Sequence, residues 1–284
     1  MTDEETNLPS ELPEHVEFPD PEHLPGGPDE ARMPIMEHLR ELRTRLIRAL
    51  IALVIGFAVA YAISDPIFAA LTWPIREVSH GKVMLIGTGV GEAFFTKIKV
   101  ALFAGLFIAS PAVFYEIWKF IAPGLYKSER RMAAPFIISA TVFFIMGGYF
   151  CWAVVFKVGY AFFLSQYASI NVTPTIRISE YLAFSSKLML AFAITFEMPI
   201  FAYFLTRLGI IDHRMMLHQF RYAILAIFLI SAALTPPDMV SQFLLAIPLL
   251  LLYVFSVGVS YLFRLPQTEE PAPAAEGPDG SELS

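Results

Sequence analysis

A series of long apolar runs, separated by charged or turn-forming breaks, constrains this chain more than any other feature. Runs long enough to cross roughly 30 Å of hydrocarbon begin after Arg45, Lys99, Arg131 and Ser179, which places spans near 46–63, 99–118, 133–155 and 180–205. A last stretch, 222–263, is apolar for about forty residues and breaks at Thr235-Pro236-Pro237-Asp238. Neither a helix nor a strand absorbs two prolines there, so the stretch reads as a tight hairpin of two short helices. Its first arm, about 222–234, is too short to cross fully, and the hairpin therefore sits shallow or thins the bilayer locally. The result is an all-α integral membrane protein with six transmembrane helices. Composition agrees: 56% of residues are hydrophobic, 16% are charged and the mean hydropathy is +0.59, a balance a water-soluble globule could not present to solvent.

With six spans both termini share a side, and the distribution of lysine and arginine identifies it. One side carries Arg32, Arg40, Arg43, Arg45 and Arg48, then Lys119, Lys127, Arg130 and Arg131, then Arg207, Arg214 and Arg221, and finally Arg264. The opposite loops, about 64–98, 156–179 and 235–238, hold only Arg76, Lys82 and Arg177 away from span boundaries. Both termini are therefore expected in the cytoplasm, with the opposite loops forming a cap on the far face.

The net charge of −6 conceals a division into three regions. Residues 1–31 and 265–284 contain fifteen of the twenty-six acids and no lysine or arginine, and their Pro, Glu and Asp content predicts disordered acidic tails. The membrane domain, 32–264, carries all twenty basic residues against eleven acids. The N-terminus has no basic segment followed by an apolar one, so no secretory signal is expected and the first apolar run stays as an anchor. Cys151 lies alone in an apolar run and reads as a small core residue; no His or Cys pair has zinc-type spacing, and no cofactor or nucleic-acid ligand is implied.

Within this apolar background a few polar groups stand out. Glu197 lies inside the run 188–205, two residues before Pro199, which removes a backbone donor and frees the Thr195 carbonyl beside the carboxylate. A charge near mid-membrane costs roughly 2.5–3.5 kcal/mol on insertion scales, so such residues mark relays, pathways or partner contacts, or bond to a neighbouring helix. Glu197 reads as the one acid at membrane depth. Before the first span, Ile35, Leu39, Leu42 and Leu46 recur at helical spacing among charged residues, which predicts an amphipathic helix on the cytoplasmic interface. On that helix Glu41 and Arg45 have the spacing of an exposed intrahelical ion pair, the plainest reading of both. In 118–131, Trp118, Phe120 and Tyr126 lie at headgroup level beside a lone acid, Glu129. Asp238 and Gln242 read as a helix N-cap and a first-turn polar residue.

Four motifs together resemble the TatC family, the large membrane subunits of the twin-arginine protein translocase. They are His38-Leu39-Arg40-Glu41-Leu42-Arg43, the run Phe120-Ile121-Ala122-Pro123-Gly124-Leu125-Tyr126-Lys127-Ser128-Glu129-Arg130-Arg131, Phe196-Glu197-Met198-Pro199 and Thr235-Pro236-Pro237-Asp238. Each is weak alone, but their order, spacing and membrane sides agree over about residues 34–263. The resemblance implies a receptor without cofactor or metal, not an enzyme. It implies a concave bundle in the inner membrane that binds the arginine pair of folded export substrates through Glu41, Glu129 and Phe120. It further implies small single-span partners of the TatA and TatB types, multimeric assembly, and transport driven by the proton-motive force. Glu197 would line the intramembrane face and contact a partner helix or the inserted signal peptide, with Asp238 and Gln242 where the short helices meet the partners. Two arginines call for at least two acids, because a carboxylate takes a planar guanidinium bidentately.

Two other classes compete. A proton- or sodium-coupled secondary transporter would use Glu197 as its coupling site, but matching interrupted helices in two halves are not seen. An intramembrane hydrolase lacks GxSG and HExxH motifs.

Overall fold

In hydrocarbon a chain satisfies its backbone N–H and C=O groups only within its own segment, and the apolar runs of this protein are accordingly helical. The computed structural model describes residues 35–122, 133–235 and 238–263. The two acidic tails, the segment holding Glu129, and Pro236-Pro237 lie outside the described residues. The chain divides into two units, Met1–Thr44 and Arg45–Ser284.

In chain order the elements are α1 (Ile35–Ala62), α2 (Ser64–Val78), β1 (Met84–Ile86), α3 (Glu92–Ile121), α4 (Ala133–Phe150), a π-helical turn (Cys151–Val155), α5 (Phe156–Ser169), β2 (Thr175–Arg177), α6 (Ile178–Thr195), α7 (Met198–Arg207), α8 (His213–His218), α9 (Phe220–Leu234) and α10 (Met239–Leu262). Among the described residues, five helical stretches are long and apolar enough to cross a membrane: Met36–Ala62, Glu92–Ile121, Ala133–Ser169, Ile178–Arg207 and Met239–Leu262. The shorter apolar helix α9 makes the sixth, in the expected position.

Three boundaries differ from the sequence reading. The amphipathic segment is not a separate helix: it continues without a break into the first span as α1, because no Gly or Pro interrupts 35–55. In the first unit Leu39 and Leu42 are exposed while Glu41 is half-buried; in the second, Arg45 and Ala49 are half-buried. The third span runs on through the π turn to Ser169, 37 residues in all, or about 55 Å at 1.5 Å per residue, so its end must project well beyond the hydrocarbon. Of the two C-terminal helices expected to be short, α9 has 15 residues, about 22 Å, whereas α10 has 24, about 36 Å and long enough to cross.

The loops 64–98 and 156–179 do meet, through pairing too brief to be visible in sequence. β1 and β2 pair in parallel, Met84 with Thr175, Leu85 with Ile176 and Ile86 with Arg177. Glu92, at the first turn of α3, clasps the same region: its carboxylate accepts from the Thr88 and Gly89 amides at 2.5 and 3.1 Å and from the Ser179 amide at 3.2 Å. Tyr181 donates to the Leu71 carbonyl at 2.6 Å and Trp152 to that of Ala70 at 2.9 Å, which ties α2 to α6 and to the π turn.

Between spans, small residues set the spacing, as expected where lipid supplies no hydrophobic drive for helices to associate. A Cβ on Gly56 of α1 would stand 2.5 Å from the Gly105 carbonyl oxygen of α3. On Gly147 of α4 it would stand 2.7 Å from the Phe192 carbonyl oxygen and 2.8 Å from Ala193 Cα. Backbone cannot yield as a flexible side chain does, so Gly147→Val must part α4 from α6. Overpacking of this kind costs about 1–3 kcal/mol, and the expected result is a lower thermal midpoint for the detergent-solubilised variant; an unchanged midpoint would contradict the contact.

Candidate functional site

The polar residues singled out in the sequence fall at three places. The first is the C-terminal end of α3. Trp118 there is buried against Phe136 and Phe204, with ring centroids 4.9 and 6.0 Å apart, which fixes the last turn of the helix. Phe120 lies half-buried on that turn. Glu129 belongs to the segment outside the described residues. Glu41 lies apart from these in the first unit of the chain, half-buried in α1.

An acid the sequence reading passed over lies one turn inside Phe120. Glu116 is 9% exposed within α3, so Glu197 is not the one acid inside a span. Its Oε2 lies 3.3 Å from Nη1 of Arg45, four residues after Glu41 on α1. Arg45 thus has an interhelical partner besides the intrahelical one suggested by spacing. The signal in sequence was an acid inside the apolar run 99–118, four residues before Phe120, which reads as a span terminus when each helix is considered alone.

The second place is the break between α6 and α7. The helix is interrupted at Phe196 and Glu197: Phe196 still donates to the Phe192 carbonyl at 2.9 Å, Glu197 donates to the Ile194 carbonyl three residues back at 3.1 Å, and Pro199 cannot donate to the Thr195 carbonyl. The bonds resume when Phe201 donates to the Glu197 carbonyl at 2.9 Å. Glu197 is 5% exposed, and neither carboxylate oxygen has a hydrogen-bond partner among the described residues. A buried polar atom left unbonded costs roughly 1–3 kcal/mol, and a protein that keeps two such atoms on one side chain departs from the usual satisfaction of buried polar groups. The alternative of an interior carboxylate bonded to a neighbouring helix is therefore not what is found.

The third place is the α9–α10 hairpin. Asp238 caps α10, accepting from the Ser241 amide at 2.7 Å and from the Ser241 hydroxyl. These bonds hold its carboxyl below the ordinary carboxylate range. The cap's contribution is therefore complete above that range and is lost only as pH falls through the lowered value. Gln242 donates to the Phe228 carbonyl at 3.1 Å and so fastens α10 to α9. Asp238→Ala is expected to cost about 1 kcal/mol, which Asp238→Asn restores because Asn caps as well; comparing thermal midpoints of the two checks the capping role. Loss of transport in both variants would show that the charge has a second task.

The three places are not one cluster. α7 and α10 are joined by the Thr206–Ser260 hydroxyl bond of 2.7 Å, nine residues after Glu197 and eighteen after Gln242. Among the described residues no group of three or more His, Cys, Asp or Glu could hold a metal ion.

Comparison with known proteins covers nearly the whole membrane domain. Residues 37–248 match the family model described as Sec-independent protein translocase protein (TatC). A protein of that name from Desulforapulum autotrophicum is 40% identical over 252 residues, 88% of this chain and 93% of its own length. Another from Magnetococcus marinus is 41% identical over 229 residues, 80% of this chain and 84% of its own. A crystal structure of a twin-arginine translocase receptor, TatC, superposes with a TM-score of 0.73 at 38% identity, covering 80% of this chain and 99% of that one.

Proposed function

This chain belongs to the TatC family of Sec-independent protein translocase subunits, and from that premise we propose that it is the subunit that recognises the arginine pair of export signal peptides. It is a multi-pass membrane protein of a translocase and not an enzyme. Family membership sets aside the secondary-transporter reading of Glu197.

Glu41 and Glu129 pair with the two arginines, and Phe120 flanks them. The observation that supports this reading is the burial of Glu41 itself: it is half-buried, whereas Arg40, Leu42, Arg43 and Thr44 around it on α1 are exposed. The face is the cytoplasmic one by the lysine and arginine count, with both termini inside and the protein in the inner membrane. The surrounding bases hold this face against anionic lipid and penalise a cationic ligand that is not correctly paired.

Glu197 serves the later step. Its unbonded carboxylate is a site for a polar group on the transmembrane helix of a single-span partner of the TatA or TatB type, or on the inserted signal peptide. Asp238 and Gln242 mark a second partner contact at the α9–α10 hairpin, where the short α9 locally thins the bilayer. The proton-motive force drives transport through the assembly of several copies with these partners. The test is co-purification of single-span subunits with wild-type protein and with Glu197→Ala; equal recovery would remove Glu197 from the partner contact.

A further inference from the structure

The long helical stretch Ala133–Ser169 changes character at its π turn. Residues 132–156 contain no charged side chain, and Lys157 ends that run. Just before it, three rings form a ladder. Tyr149 of α4 stacks on Trp152 of the π turn with centroids 5.9 Å apart, and Trp152 stacks on Trp73 of α2 at 5.4 Å. The outer rings are open, Tyr149 63% and Trp73 43% exposed. The middle ring is fixed: the Trp152 indole donates at 2.9 Å to the Ala70 carbonyl, which lacks its helical donor because the residue four on is Pro74. Lys157 Nζ lies 4.7 Å over the Trp73 ring and 2.8 Å from Glu77 Oε2. At the other end of α2, Asp65 pairs with Lys97 of α3 at 2.7 Å. The ladder therefore lies where apolar surface gives way to charge.

Depth agrees with that transition. Trp118 packs on Phe136, and a Cβ on Gly148 would stand 2.5 Å from the Phe107 ring, so α3 and α4 run antiparallel. From Phe136 to Trp152 is sixteen residues, about 24 Å at 1.5 Å per residue and within about one turn of the roughly 30 Å hydrocarbon layer. Beside Trp118, Lys119 stands 4.3 Å over the exposed ring of Tyr115. Both ends of the bundle thus carry a ring beside an ammonium, which suits the boundary between acyl chains and headgroups. We propose that the Tyr149–Trp152–Trp73 ladder with Lys157 is a phospholipid contact at that boundary, which holds α2 and the π turn at its depth. The ring faces take the upper part of the acyl chains, and the Lys157–Glu77 pair presents charges of both signs to headgroup phosphate and amine. The stretch from Lys157 to Ser169 then stands outside the hydrocarbon.

Trp118→Phe leaves Trp73 and Trp152 as the only tryptophans of the chain. The full-length variant is placed in vesicles of phosphatidylethanolamine and phosphatidylglycerol whose chains are brominated either near the ester or near the methyl end, and the quenching of indole fluorescence is compared. The shallow bromines are expected to quench at least about twofold more than the deep ones, as at interfacial rings. Equal or stronger quenching by the deep bromines would place the ladder in the hydrocarbon interior. Quenching by neither would place it clear of the bilayer or beneath protein, a second copy of this chain included. Each result overturns the proposal. Should Trp118→Phe not fold, the difference between wild type and Trp73→Phe reports the outer ring alone. Adding Trp73→Ser and Tyr149→Ser to Trp118→Phe leaves Trp152 as the sole reporter without its two stacking rings. Loss of the shallow preference is expected there, and an unchanged profile would show that the rings do not hold this depth.

Discussion

Glu129→Ala and Glu41→Ala are each expected to weaken binding of a twin-arginine peptide by about tenfold to a hundredfold, the equivalent of one hydrogen-bonded charge contact of roughly 1.5–3 kcal/mol. Binding of a twin-lysine peptide, already weak, should change little. The asymmetry follows from geometry: a carboxylate accepts two parallel N–H bonds from the planar guanidinium, but one at a time from a rotating ammonium. Loss of the acid therefore removes more from the arginine complex than from the lysine one. Cross-linking or pull-down with both peptides checks this. Equal loss for the two peptides would reduce the role of these acids to general charge attraction, and no loss for either would remove them from the site.

Glu197→Met is the second large effect, and it separates function from stability. The side chain is nearly isosteric and removes two buried oxygens that have no partner among the described residues. The variant should melt no lower than wild type, and higher by up to the roughly 1–3 kcal/mol that an unbonded buried polar group costs. Its affinity for signal peptide should stay within about twofold, because in the proposed division of roles Glu197 serves the partner contact and not the arginine pair, and sites that share no partner contribute independently. Transport of folded substrate into membrane vesicles should nevertheless fall more than about tenfold, since the group meant to meet a partner inside the membrane is absent. A variant that is less stable and still transports would reverse the account of Glu197. Loss of small-solute uptake by vesicles in place of protein export would return the transporter reading.

The spans were legible because hydrocarbon leaves an apolar chain few choices: runs of about twenty residues must be helices that close their own hydrogen bonds. Glu197 and Pro199 could be read as a weak point for the same reason, since one missing donor in a membrane helix has no water to replace it. What the sequence withheld depends on contacts between distant segments. β1 and β2 are three residues each and pair across some ninety residues of chain, far below the length at which alternation becomes a signal. α2 and α5 look like loop in the sequence because both contain enough polar residues to blur a span, yet α2 is held to the bundle by the Trp152 and Tyr181 side chains. Glu116 was passed over because one helix viewed alone shows an acid near a span end, a common and inert arrangement. Its meaning comes from Arg45 on another helix. The acid Glu197 was found from composition but its lack of a bonding partner was not, because satisfaction is a property of neighbours.

A double-mutant cycle between peptide and protein tests recognition most directly. Four binding constants are needed: twin-arginine and twin-lysine peptides, each with wild-type protein and with the Glu41→Gln, Glu129→Gln variant. Direct pairing predicts a coupling energy of at least about 1 kcal/mol, the usual mark of groups in contact. Additive effects, with coupling near zero, would contradict the claim that these two acids hold the signal arginines.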